Sequence, residues 1–114
     1  RSGERDEIAF GKENTHLFID GLIDPLNQVI PQLHKRPVYV TLDIDVVDPA
    51  FAPGTGTPEP GGCTSREIIQ CIHMLGRLDV IGFDLVEVLP GYDLSERTSL
   101  LAAKIIREAI LTLC

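Results

Sequence analysis

The 114-residue sequence contains no apolar run approaching the roughly 18 to 20 residues of a membrane-spanning helix. It also has no basic segment followed by an apolar stretch of the kind that begins a secretory leader. A membrane partner is therefore not expected. Positive charge is scarce as well. Ten Lys and Arg stand against 17 Asp and Glu, a net charge of −7 with the acids spread along the chain. That balance argues against a nucleic-acid partner, whose phosphates need a basic surface, and suits either a solvated acidic surface or a cationic small molecule. The three cysteines, Cys63, Cys71 and Cys114, form no C-x-x-C pair, and any disulfide scheme leaves one over. Reduced thiols and a cytoplasmic location are the expectation. There is no internal repeat and no low-complexity tract.

What the sequence does have is 44% hydrophobic content, enough for one modest core. It begins at Arg1, in polar sequence that runs to Glu13, which reads as a piece of a longer chain. Strand-like and helix-like segments then alternate, the order expected of an α/β fold with a mainly parallel sheet. Asp24-Pro25 resembles an N-cap with proline at the first helical position, and that helix runs towards Gln32 before Arg36-Pro37 stops it. Val38 to Asp45 is rich in β-branched and aromatic residues and reads as a buried strand. From Pro49 to Gly62 there are four prolines and four glycines, a composition that only an ordered loop tolerates. Thr64 to Glu67 has the pattern of a capping box, opening a helix with Ile68, Ile69, Ile72 and Leu75 on one face and Gly76 at its end. A second strand is expected over Val80 to Leu89, closed by Pro90-Gly91. A final helix from about Thr98 would bury Leu101, Ile105, Ile106, Ala109, Ile110 and Leu113.

Several carboxylates sit where burial would penalise them. If Val38 to Asp45 is one strand, Tyr39, Thr41, Asp43 and Asp45 share a face, with the last two at its carboxyl end. Two adjacent anions there are costly by desolvation and repulsion unless a cation or a shared proton offsets them, and a divalent metal is the simplest answer. The carboxyl end of a strand is also where open parallel sheets bind ligands. Asp48 is expected to cap the following turn instead. Glu87, between Val86 and Val88 near the end of the second strand, needs a cationic partner, either a ligand or a structural Arg or Lys. Asp84 reads as structural, bonded to loop backbone.

The run Leu42 to Pro58 (LDIDVVDPAFAPGTGTP), closed by Gly61-Gly62, resembles the D-x-D-x-x-D-P…A-P-G-x-G-T-P…G-G signature of the ureohydrolase (arginase/agmatinase) family. Phe83 to Val88 and Asp93 to Thr98 are similar to its agmatinase branch. The resemblance implies the C-terminal portion of a single three-layer α/β/α ureohydrolase domain, filling residues 1–114, and two Mn2+ ions per complete subunit. It implies Asp43 and Asp45 as metal ligands, with Asp43 bridging, and Glu87 and Thr57 as substrate-binding residues. The substrate implied is a small cationic guanidino compound, agmatine before arginine, guanidinobutyrate or formiminoglutamate, and the assembly a homo-oligomer, trimer or hexamer. The family's Asp-Ala-His-x-Asp type motif and an upstream glycine-rich histidine ligand are absent, and His16, His34 and His73 sit in no such context. The chain by itself would hold part of a metal site and be inactive.

Rival readings fit less of the sequence. A haloacid-dehalogenase-type phosphatase would use Asp43 as nucleophile and Asp45 as acid/base, but leaves Glu87 and the Pro/Gly loop without a task. An EF-hand loop fails because Val47, Asp48 and Gly54 occupy its fifth, sixth and twelfth positions. A non-catalytic fragment that keeps the fold is the remaining alternative.

Overall fold

A computed structural model describes residues 3–114. The first two residues, where the expectation of a longer chain begins, lie outside the described residues. The order is α1 (Arg5–Asn14), α2 (Ile23–Leu33), β1 (Pro37–Asp43), a 3-10 turn (Ile44–Val46), α3 (Ser65–Leu75), β2 (Asp79–Val86), a second 3-10 turn (Pro90–Tyr92) and α4 (Arg97–Leu113). β1 and β2 pair in parallel, Thr41 opposite Asp84 and Asp43 opposite Val86, with an irregularity after Val38. The connection between them carries the Pro/Gly loop and α3, a β-α-β unit as expected.

α3 forms where its signals place it. The Thr64 hydroxyl accepts from the Glu67 N–H, while the Glu67 carboxylate accepts from the Thr64 N–H. Behind this cap, Ile68, Cys71, Ile72 and Leu75 recur at helical spacing and are buried. Ile68, Ile72 and Leu75 meet Leu42 of β1, Ile44 just after it, and Ile105 and Ala109 from α4 in one core. Helices α3 and α4 pack on the sheet face that carries Val40, Leu42, Phe83 and Leu85, with Leu26 of α2 at the edge of the same core. The opposite face, with Tyr39 and Thr41, is open, so the described residues hold the sheet and one of the two expected helical layers.

Several boundaries differ from expectation. Ile23 begins α2 and Leu22 is its cap, so Asp24 is not the N-cap. Asp24 lies in the first turn, where its charge favours the helix dipole, and Pro25 still costs nothing because that N–H has no partner in a helix. Pro31 sits inside α2, two residues before its end. α1 was not expected. Its N-terminal cap is a Glu4–Glu7 box and none of its residues is buried. β2 ends at Val86, three residues short of Leu89. In α4, Ile106 and Ile110 are exposed, not core, because Ala102, Ile105 and Ala109 form the inward stripe.

Candidate functional site

The parallel pairing brings the ends of β1 and β2 to one edge, where Asp43 ends β1 and Glu87 follows β2. Asp43 is the last residue of β1 and pairs with Val86, the residue before Glu87. Asp45 is not on the strand. Asp43 Oδ1 accepts the Asp45 N–H at 3.0 Å, and this side-chain bond turns the chain into the 3-10 segment Ile44–Val46. A short polar side chain that binds nearby backbone competes with the sheet ladder, so the alternation argument holds for Asp43 and fails for Asp45. The two aspartates nevertheless stay adjacent and half-buried.

Thr57 comes to them across the loop, its hydroxyl donating to Asp45 Oδ2 at 3.0 Å. Glu87 follows the strand with a left-handed backbone, φ 62°. It is exposed, which corrects the expectation of a buried, unpartnered carboxylate. Its side chain reaches back over the loop, so that Oε2 lies 3.9 Å from where a Cβ on Gly56 would stand. Asp43, Asp45, Thr57 and Glu87 therefore converge, while His16, His34 and His73 do not take part. His73 is exposed and pairs with Glu108 at 2.8 Å.

The loop that carries Thr57 is irregular but closely held. Asp48 Oδ1 accepts from Ala50 N–H and Oδ2 from Gly61 N–H, the capping role expected of it. Gly62 packs so tightly that a Cβ would lie 2.5 Å from Asp48 N and 2.6 Å from Val46 O. On its other side the Gly54 N–H donates to Thr98 Oγ1, and Gly54 O accepts from the Leu89 N–H. Asp93, buried at the start of α4, accepts from Thr98 N–H, Ser99 N–H and Ser99 Oγ. Burial pushes its carboxyl up, and the bonds from Ser99 and Thr98 outweigh this and hold it below the usual range. The sequence reading missed this anchor. The five-residue spacing from Asp93 to Thr98 was its trace, longer than the spacing of an ordinary helix cap.

Asp84 bonds side chains and not loop backbone, another departure from expectation. Its oxygens accept from Tyr39 and Thr41 hydroxyls on β1, each at 2.6 Å. The Thr41 bond and then the Tyr39 bond hold its carboxyl below the usual range, while the same contact raises the Tyr39 phenol.

A cleft of about 470 Å³ opens beside Asp45, with Gly61, Gly62 and Cys63 on one side and Glu7, Leu17, Phe18 and Ile19 on the other. Asp43 and Asp45 are hard oxygen donors of the kind manganese accepts, and their adjacency fits a shared divalent cation. Among the described residues, no group of three or more His, Cys, Asp and Glu could hold a metal. Two carboxylates are fewer than a metal site needs, so the described residues hold no complete donor set. Cys63, Cys71 and Cys114 form no disulfide, and burial followed by the charge of Glu67 pushes Cys71 up to about 11.

Comparison with known proteins places the chain in a family. An agmatinase from Bacillus subtilis is 52% identical over 97% of the chain and 39% of its own length. A proclavaminate amidinohydrolase from Streptomyces clavuligerus is 47% identical over 90% of the chain and 32% of its own length. The crystal structure of an arginase from Bacillus caldovelox superposes with a TM-score of 0.82 at 31% identity, covering 96% of the chain and 40% of that structure. The chain thus spans about two fifths of the length of this agmatinase and this arginase. The sequence profile of the Arginase family matches residues 9–112. With its parallel β-α-β core and that match along almost its whole length, this chain belongs to the Arginase family.

Proposed function

We propose that the chain is the C-terminal portion of a single ureohydrolase domain that hydrolyses a guanidino compound, agmatine first, to urea and an amine (putrescine from agmatine). The observation that carries this reading is the convergence of Asp43, Asp45, Thr57 and Glu87 at the carboxyl end of the sheet. Asp43 and Asp45 would hold part of a pair of Mn2+ ions, with the remaining ligands coming from outside these residues. When bound, such a pair supplies the Lewis acidity that makes water a competent nucleophile near neutral pH.

The chain's own residues do the positioning. Thr57 donates to Asp45 Oδ2 and so fixes the orientation of that carboxylate. Glu87 would pair with the guanidinium and present its carbon in one orientation, a role worth rate only if the carboxylate is held in place. Its left-handed backbone supports this, because a non-glycine residue in that conformation costs of order 1 to 2 kcal/mol and such strain clusters at functional sites. The exposure of Glu87 is what a ligand-facing group requires.

The proclavaminate amidinohydrolase relative, at 47% identity, supports a second reading in which the substrate is another amidino compound. No helix among the described residues is long and apolar enough to cross a membrane. Cytoplasmic location and a trimeric or hexameric assembly belong to the same proposal.

In the full-length protein, Glu87→Gln removes the charge and keeps the size. A hydrogen bond to a charged group contributes roughly 1.5 to 3 kcal/mol, so kcat/KM for agmatine is expected to fall about ten- to a hundredfold with manganese content unchanged. Asp43→Asn and Asp45→Asn should instead lose manganese. Full manganese occupancy in both aspartate variants, or wild-type kinetics in Glu87→Gln, would reject the respective assignment.

A further inference from the structure

Thr57 and Glu87 belong to different segments, one in the loop after β1 and one after β2, and no strand pairing joins them beyond Asp43 and Val86. What joins them is Gly54. Its N–H donates to Thr98 Oγ1 at 2.7 Å, and its carbonyl accepts the Leu89 N–H at 2.9 Å, two residues after Glu87. Thr98 is fully buried, and its own N–H is held by Asp93 Oδ1 at 3.2 Å. The packing leaves no slack, because a Cβ on Gly54 would lie 2.5 Å from Asp93 Cβ and 2.9 Å from Thr98 Oγ1. The start of α4 is therefore a clip across both segments.

We propose that Asp93 and Thr98 are positioning residues, which act through Gly54 to set the spacing between Thr57 and Glu87 and hence the affinity for the guanidino substrate. This rests on the ureohydrolase reading above. A helix cap alone would need Asp93 on the helix amides and would leave the Gly54 bond unexplained. Thr98 Oγ1 accepts from a loop N–H, which is where a positioning bond has to reach.

The test uses the full-length manganese-loaded protein and agmatine. Thr98→Val keeps the shape and the N–H that binds Asp93 and removes only the hydroxyl. A misplacement well under 1 Å of a substrate-holding group is costly in rate, so kcat/KM should fall by about tenfold, mainly through KM. Thr98→Ser restores the oxygen and should recover most of the loss. Hydrogen exchange at the Gly54 and Leu89 amides should quicken in Thr98→Val and return in Thr98→Ser, with manganese content equal in all three proteins. Should Thr98→Val not accumulate as folded protein, Ser99→Ala removes one bond to Asp93 Oδ2 and should lower kcat/KM about two- to tenfold. Wild-type kcat/KM and unchanged exchange at Gly54 and Leu89, with only a lower Tm, would overturn the positioning role and leave a plain helix cap. Absence of agmatine hydrolysis by the wild-type protein would overturn the ureohydrolase reading itself, and this inference with it.

Discussion

The loop from Pro49 to Gly62 and helix α1 invert the usual relation between regularity and anchorage. The loop has no repeating backbone geometry, yet Ala52, Gly54 and Thr55 within it are buried, and side chains or backbone of Asp48, Asp45, Leu89, Arg97 and Thr98 bind it. α1 is a regular helix of 10 residues with none of them buried, and Phe10 is 67% exposed. Helical hydrogen bonds satisfy a backbone locally but stabilise its placement little. Placement comes from burial and from bonds between distant segments. In this chain the irregular part is the better fixed of the two.

That contrast can be broken most severely at Gly62. An alanine there would press its Cβ into the backbone of Val46, Val47 and Asp48, atoms that cannot swing aside. Gly62→Ala is expected to cost at or beyond the upper end of roughly 1 to 3 kcal/mol in urea unfolding of the full-length protein. A cost below about 0.5 kcal/mol would mean that the loop yields.

Acid should loosen the anchored side next. Asp93, held below the usual carboxylate range by Ser99 and Thr98 against its burial, contributes stability that is present above the ordinary aspartate pKa and lost as pH falls through its lowered one. Glu108 on α4 is lowered to about 2, first by Lys104 and then by His73, and behaves with the same sign. Tm should therefore fall between about pH 5 and pH 2, and Glu108→Gln should flatten part of that slope in a thermal scan series. A Tm profile unchanged by the substitution would remove Glu108 from the account.

The smallest effect is expected in α1. Phe10→Ala should move unfolding by no more than about 0.5 kcal/mol, as for an exposed surface substitution. A cost above about 2 kcal/mol would show that α1 is covered in the full-length protein and would narrow the contrast with the loop.

Legibility in the sequence followed the same division. α3 was readable because its cap and its apolar spacing are both local, and the Pro/Gly loop because its composition excludes every alternative. The parallel pairing was readable from the order of elements. Asp45 was misplaced because a single bond from Asp43 to its N–H ends the strand, and period-2 alternation carries no warning of such a bond. The expected burial of Glu87 failed because flanking valines signal a strand that in fact stops at Val86. The Asp93–Thr98–Gly54 clip spans 44 residues between Gly54 and Thr98, and no local pattern encodes a contact of that range.

The left-handed backbone at Glu87 bears on how this protein could be engineered. Glycine adopts that conformation without penalty, so a library selected for thermal robustness alone should drift towards glycine or asparagine at this position. Each such winner would fold at least as well and would have discarded the carboxylate. Stability screens on this chain therefore need a paired activity readout at one codon above all others.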